Sequence, residues 1–159
     1  MASALRWNGL AGLIAFTLSC NARADRPPPL DAELVQRGRD VYTKDCASCH
    51  GPNSEGAPGW RQPDEHGELP APPHNAEGHT WRHGDGMLYG IVRDGWRDPF
   101  NRTTRLTMPP IGDKFSPAEI RAVITYLKTW WLREQRRFQW DESQEDPFPP
   151  DTQIGRAHV

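Results

Sequence analysis

The run Cys46-Ala47-Ser48-Cys49-His50, followed at once by Gly51, constrains this chain more than any other stretch. Thiols three positions apart lie on one face of a helical turn, where both reach the edge of one flat group, while the next residue swings its ring beneath that group's centre. C-x-x-C-H is an attachment pattern for haem: Cys46 and Cys49 add to the porphyrin vinyl groups as thioethers, and His50 ligates the iron from the proximal side. Two other chemistries use such a pair. A redox-active dithiol needs a strand before the pattern and a βαβ frame, whereas the residues before Cys46 have helical periodicity. A zinc site joins Cys46-x2-Cys49 to His79-x3-His83, but the interval between them is roughly twice the usual dozen residues and is rich in Pro and Gly.

The second axial position is expected at Met108, within Thr107-Met108-Pro109-Pro110. Pro109 and Pro110 fix their own φ angles and bias Met108 away from helix, so a thioether is held in an extended segment on the distal side. Such a ligand favours ferrous iron and raises the potential, which suits an electron carrier. The rivals are Met87, which lies in an amphipathic stretch where Met ordinarily fills core, and His66, His74, His79 and His83, for which capping or solvent exposure is the ordinary explanation.

A bound macrocycle also answers a shortage of core. Of 159 residues only 36% are apolar, and the mean hydropathy is -0.79. One small domain is expected, with the haem supplying buried surface much as disulfides or metals do in other small proteins.

The first 24 residues read as an export leader. Arg6 provides the positive start, Gly9 to Leu18 is an apolar run too short to span a bilayer, and Ala22-Arg23-Ala24 fits a small-x-small cleavage site. A competing cut before Cys20, after Leu18-Ser19, leaves a lipidated N-terminus and a membrane tether. Either way the expected location is periplasmic. Of the three Cys, Cys20 leaves with the leader or carries lipid, so no pair remains for a disulfide. Arg6 and Arg23 also leave, and 17 basic against 21 acidic residues give a net charge of −4. That balance argues against nucleic acid as a partner.

Residues 25–30, with Arg26-Pro27-Pro28-Pro29, form a stiff spacer. Asp31 is placed to cap a helix through Glu33, Leu34, Gly38, Val41 and Tyr42, which delivers the chain to Cys46. Gly38 inside it costs roughly 1 kcal/mol relative to Ala, so a large aromatic from another helix is expected to approach there. Pro52 to Pro73 is irregular, and one of its proline carbonyls is expected to accept from the non-ligating nitrogen of His50. Trp60, Arg61, Trp81 and Arg82 are candidate donors to the haem propionates, or ordinary surface residues. Asp85 to Asp94 reads as a short helix stopped by Gly95. Ser116, Pro117 and Glu119 start a last helix with Ile120, Val123, Ile124, Leu127, Trp130 and Trp131 on its inner face, continuing through Leu132 to Phe138. The domain is thus drawn at 31–138, and 139–159 as a flexible acidic, Pro-rich tail.

Taken together, the helix with Gly38 and Tyr42, Cys46 to His50, the wrapping loop, Met108-Pro109 and the last helix with Tyr126 and Trp130 resemble a class I bacterial cytochrome c over roughly Asp31 to Trp131. The resemblance implies an all-α fold around one covalently attached haem c, with first and last helices crossing at Gly38. It implies single-electron transfer between redox partner proteins and no catalysed reaction. The long loop after His50 and the segment past Trp131 depart from the family pattern and leave the partner open. Two alternatives stand beside the carrier: an electron-entry subunit of a larger dehydrogenase or oxidase, docking through the Trp-rich last helix and tail, and a haem sensor or enzyme with an open distal site.

Overall fold

Asp31 starts the first helix by accepting, at Oδ1, the backbone N–H groups of Glu33 and Leu34 at 2.9 and 3.0 Å, two donors that a helix start otherwise leaves without partners. In the computed structural model, which describes residues 26–152, α1 (Ala32–Val41) passes into one π-helical turn, Tyr42–Cys46, and then into α2 (Ala47–His50). A long loop containing a 3₁₀ turn (Thr80–Arg82) leads to α3 (Asp85–Asp94). The chain then crosses to α4 (Pro117–Leu127), a 3₁₀ turn (Lys128–Trp130), α5 (Arg133–Glu145) and a last 3₁₀ turn (Pro150–Thr152). There is no sheet among the described residues; their extended pairing is one antiparallel bridge, Trp96 with Met108. Residues 1–25, which hold the expected leader and Cys20, and residues 153–159 lie outside the described residues.

The core forms where α1, α3 and α4 meet, around Val41, Tyr42, Leu88, Tyr89, Ile120, Val123, Ile124, Tyr126, Leu127 and Trp131. α4 is held at its start by the expected reciprocal cap between Ser116 and Glu119, with Pro117 in the first turn. It crosses α1 at Gly38. A Cβ on Gly38 would lie 2.0 Å from the Ala122 carbonyl oxygen and 2.8 Å from Tyr126 Cβ, so the two helices pack backbone against backbone. The aromatic expected there is Tyr126, whose ring also packs 5.4 Å from that of Tyr42.

Two expectations fail past Trp131. The last helix does not run on to Phe138: Trp131 and Leu132 are extended, at ψ 145° and 159°, and α5 starts afresh, with the Leu132 N–H donating to Gln135 Oε1. No Gly or Pro marks this break, so nothing in the local sequence announces it. Nor is 139–152 a flexible tail. Gln139 is buried and donates to Asp85 Oδ1 (2.8 Å) and Ser143 Oγ (2.9 Å), while Asp146 accepts the Gly86 and Met87 N–H groups at the start of α3. Phe148 packs on the core beneath Arg121, and Thr152 is buried. The polar composition misled because this segment docks through hydrogen bonds; its buried side chains on α5 are Gln135, Gln139 and Ser143.

The loop between α3 and α4 is fastened to the loop after His50. Arg97 donates to the carbonyls of Thr103 and Asn101, Asn101 Oδ1 accepts from Leu69 N–H, and the buried Glu68 carboxylate accepts from Thr103 Oγ1 and Arg105. Hydrogen bonds from Arg105 and then Thr103 hold the Glu68 carboxyl down at about 2. A group so depressed stabilises the fold above its unfolded value of 4.5 and loses that contribution as pH falls through about 2. The thermal midpoint of the native chain should therefore exceed that of Glu68→Gln above pH 4.5, with the gap closing as pH falls towards 2; a gap independent of pH would contradict the latch. Gly38→Ala is expected to cost about 1–3 kcal/mol or more in chemical denaturation, because the added methyl meets backbone that cannot rotate away.

Candidate haem site

The π turn places the attachment residues. Its extra residue per turn rephases the helix between Tyr42, which points into the core, and Cys46. The Tyr42 hydroxyl donates to the Gly51 carbonyl at 2.7 Å, pinning the far end of α2 to the end of α1. Burial pushes that phenol up to about 12, so it remains a donor. From the same turn Asp45, whose side chain is buried, pairs with Lys114 in the segment beyond Met108.

Cys46 is half-buried and Cys49 exposed, and both are free thiols. Burial, and next the Asp45 carboxylate, push the Cys46 thiol up to about 11. His50 is 7% exposed. Its Nδ1 lies 2.9 Å from the Pro72 carbonyl oxygen, which can only accept; Nδ1 therefore carries the proton and Nε2 keeps its lone pair. The proline left open by the sequence is Pro72. Burial lowers the pKa of His50, the Pro72 contact opposing it, which favours the neutral ring that a metal requires.

Met108 is fixed by its backbone. Its N–H donates to the Trp96 carbonyl (3.0 Å) and its carbonyl accepts from Trp96 N–H (2.9 Å). Ile111 and Gly112 N–H groups then donate to the Val92 and Arg93 carbonyls at the end of α3. Gly95 permits this: its φ is +80°, and a Cβ there would stand 2.7 Å from the Met108 carbonyl oxygen. The Pro-buttressed segment is thus seated along the α3 terminus.

The rival residues are dispersed, with one exception. Met87 is on the exposed side of α3, His66 is exposed beside Glu65, and His79 meets His83 edge-on at 5.4 Å. His74 is the exception, its ring stacked on that of His50 with centroids 4.0 Å apart and planes 29° apart. Trans ligands aim their nitrogens at each other across a metal, which stacked rings do not, so this geometry is no bis-histidine pair. Burial, with His50 and His79 adding to it, lowers the pKa of His74 well below the ordinary histidine value. The zinc set is not assembled: among the described residues no three His, Cys, Asp or Glu are grouped to hold a metal ion. Of the propionate candidates, Trp81 already donates to the Gly78 carbonyl, while Arg61 and Arg82 lie over the rings of Trp60 and Trp81.

These donors suit a covalently attached porphyrin. Two free thiols sit on consecutive turns leading to an imidazole whose outer nitrogen is already engaged, so that the inner one keeps a lone pair of the kind an iron would take. Sequence reasoning missed the stacking of His74 on His50. A histidine among prolines carries no spacing signal towards a residue 24 positions earlier.

Comparison with known proteins agrees with the chemistry. Residues 35–131 match the family described as Cytochrome c, which is more than half of the chain. No curated protein matches it. The match takes in the attachment turn, the Met108 segment and the α1–α4 crossing, and the chain belongs to the cytochrome c family of haem-binding electron-transfer proteins, whose haem c is covalently attached.

Proposed function

We propose that the protein is an exported monohaem electron carrier in which Cys46 and Cys49 form the thioethers and His50 and Met108 are the axial ligands. The observation that carries this reading is the Pro72 contact, which leaves His50 a neutral imidazole with its lone pair on Nε2. When bound, haem c supplies an iron couple that accepts and gives up one electron. The chain's task is to keep that exchange cheap. Pro72 prevents His50 from changing tautomer, and the backbone pairing of Met108 with Trp96, packed close on Gly95, keeps Met108 from swinging, so little moves between oxidation states. Tyr42 and the Asp45–Lys114 pair tie the attachment turn to the flanking segments. No substrate is transformed. Partners are redox proteins met in brief encounters over small interfaces.

The location follows from the leader: export to the periplasm, with cleavage after Ala24 or lipidation at Cys20. The alternative of an electron-entry subunit is favoured by Leu132 and Phe138, which are 53% and 45% exposed at the start and middle of α5. Co-purification from native membranes that survives replacement of both by Ser argues against that docking face.

Ferric absorption spectra test the ligand set. The native protein is expected to display the methionine-to-iron charge-transfer band and Met108→Ala to lack it; a band that persists in the variant removes Met108 from the iron. The Cys46→Ser, Cys49→Ser double variant should lose haem on a denaturing gel that retains it in the native chain.

A further inference from the structure

His74 is held more firmly than core filling requires. Its N–H donates to the Ser54 carbonyl at 2.8 Å, and its own carbonyl accepts the Trp131 indole N–H at 2.8 Å. Its ring nitrogen Nδ1 lies 2.8 Å from Thr80 Oγ1, and Pro73 before it is fully buried. Ser54 and Thr80 are buried themselves, and Ser54 adopts a left-handed φ of 59° that turns its carbonyl to receive both His74 and Asn75. Two segments, at Ser54 and Trp131, therefore fix the His74 backbone, and a third, at Thr80, fixes the rotation of its imidazole. The face of that ring lies on His50.

An aliphatic side chain would fill the same space without needing a polar partner, so filling alone does not account for the arrangement. What a flat, rotationally fixed ring adds is a plane. A ligand imidazole held at Nε2 by iron and at Nδ1 by one carbonyl still has freedom to tilt about the line joining those points. A stacked neighbour removes that freedom, and offset stacking is favourable in its own right.

We infer that His74 is a positioning residue for the proximal ligand: its imidazole, locked by Thr80, sets the plane of the His50 ring. The inference rests on His50 being an iron ligand. In ferric low-spin haem the plane of an axial imidazole directs unpaired electron density towards one pair of pyrroles, so a change of plane alters the order and spacing of the four haem-methyl proton resonances and the largest g value.

The test uses the haem-loaded full chain. His74→Leu is expected to shift the methyl resonances and the largest g value most, whereas His74→Phe, which keeps a flat face but loses the Thr80 contact, shifts them less. Thr80→Val, with the ring present but unlocked, should likewise fall between native and His74→Leu. Leu spectra at native positions overturn the inference, as does a Phe variant displaced as far as Leu. If His74→Leu does not accumulate with haem, Thr80→Val decides alone: displaced methyls support the lock and native positions refute it. Pulsed electron resonance on native protein with ¹⁵N-labelled histidine separates the two levels. A histidine nitrogen on iron with silent variants removes this inference only; absence of that nitrogen removes the ligand assignment, and this inference with it.

Discussion

The approach of α1 to α4 at Gly38 is the constraint on which the other elements depend. With a Cβ–carbonyl separation of 2.0 Å, no side chain fits between the helices, and their axes are brought as near as backbone allows. α1 continues directly into the turn that carries Cys46, Cys49 and His50, and α4 continues into Trp131, whose indole holds the His74 carbonyl. One contact between glycine and backbone thus sets the distance between His50 and the wall behind it. The cost of Gly in a helix, roughly 1 kcal/mol, is offset by burial of Tyr42, Ile120, Val123 and Tyr126 along the seam.

Most of that frame was legible in the chain because it rests on local chemistry. Asp31, Ser116 with Glu119, and Gly95 are end signals whose meaning depends on neighbours within a few positions, and each sits where its type predicts. Gly38 was legible as an anomaly: a poor helix former in mid-helix implies something large or close. The cysteines and His50 stand out in the sequence because covalent attachment of a haem would impose that spacing, and the structure carries all three on adjoining helical turns.

What escaped was long-range and polar. Which proline meets His50, and that His74 lies on it, depends on how a loop of Pro and Gly folds back, and hydrophobic periodicity says nothing about such a path. The end of the domain escaped for a related reason. Low hydropathy past Trp140 suggests disorder only when burial is assumed to be apolar; Gln139, Ser143 and Asp146 dock instead by satisfying Asp85 and the open N–H groups at the start of α3.

The docking of Asp146 on α3 has a practical corollary. The family signature stops at residue 131, yet the helix that ends beside Met108 begins under a carboxylate 15 positions beyond that boundary. Anyone transplanting this redox unit into another protein, or trimming it to a minimal electron-relay cassette, has to carry the chain through Thr152; a graft cut at the signature's edge would uncover the start of the very helix whose far end seats the Met108 segment.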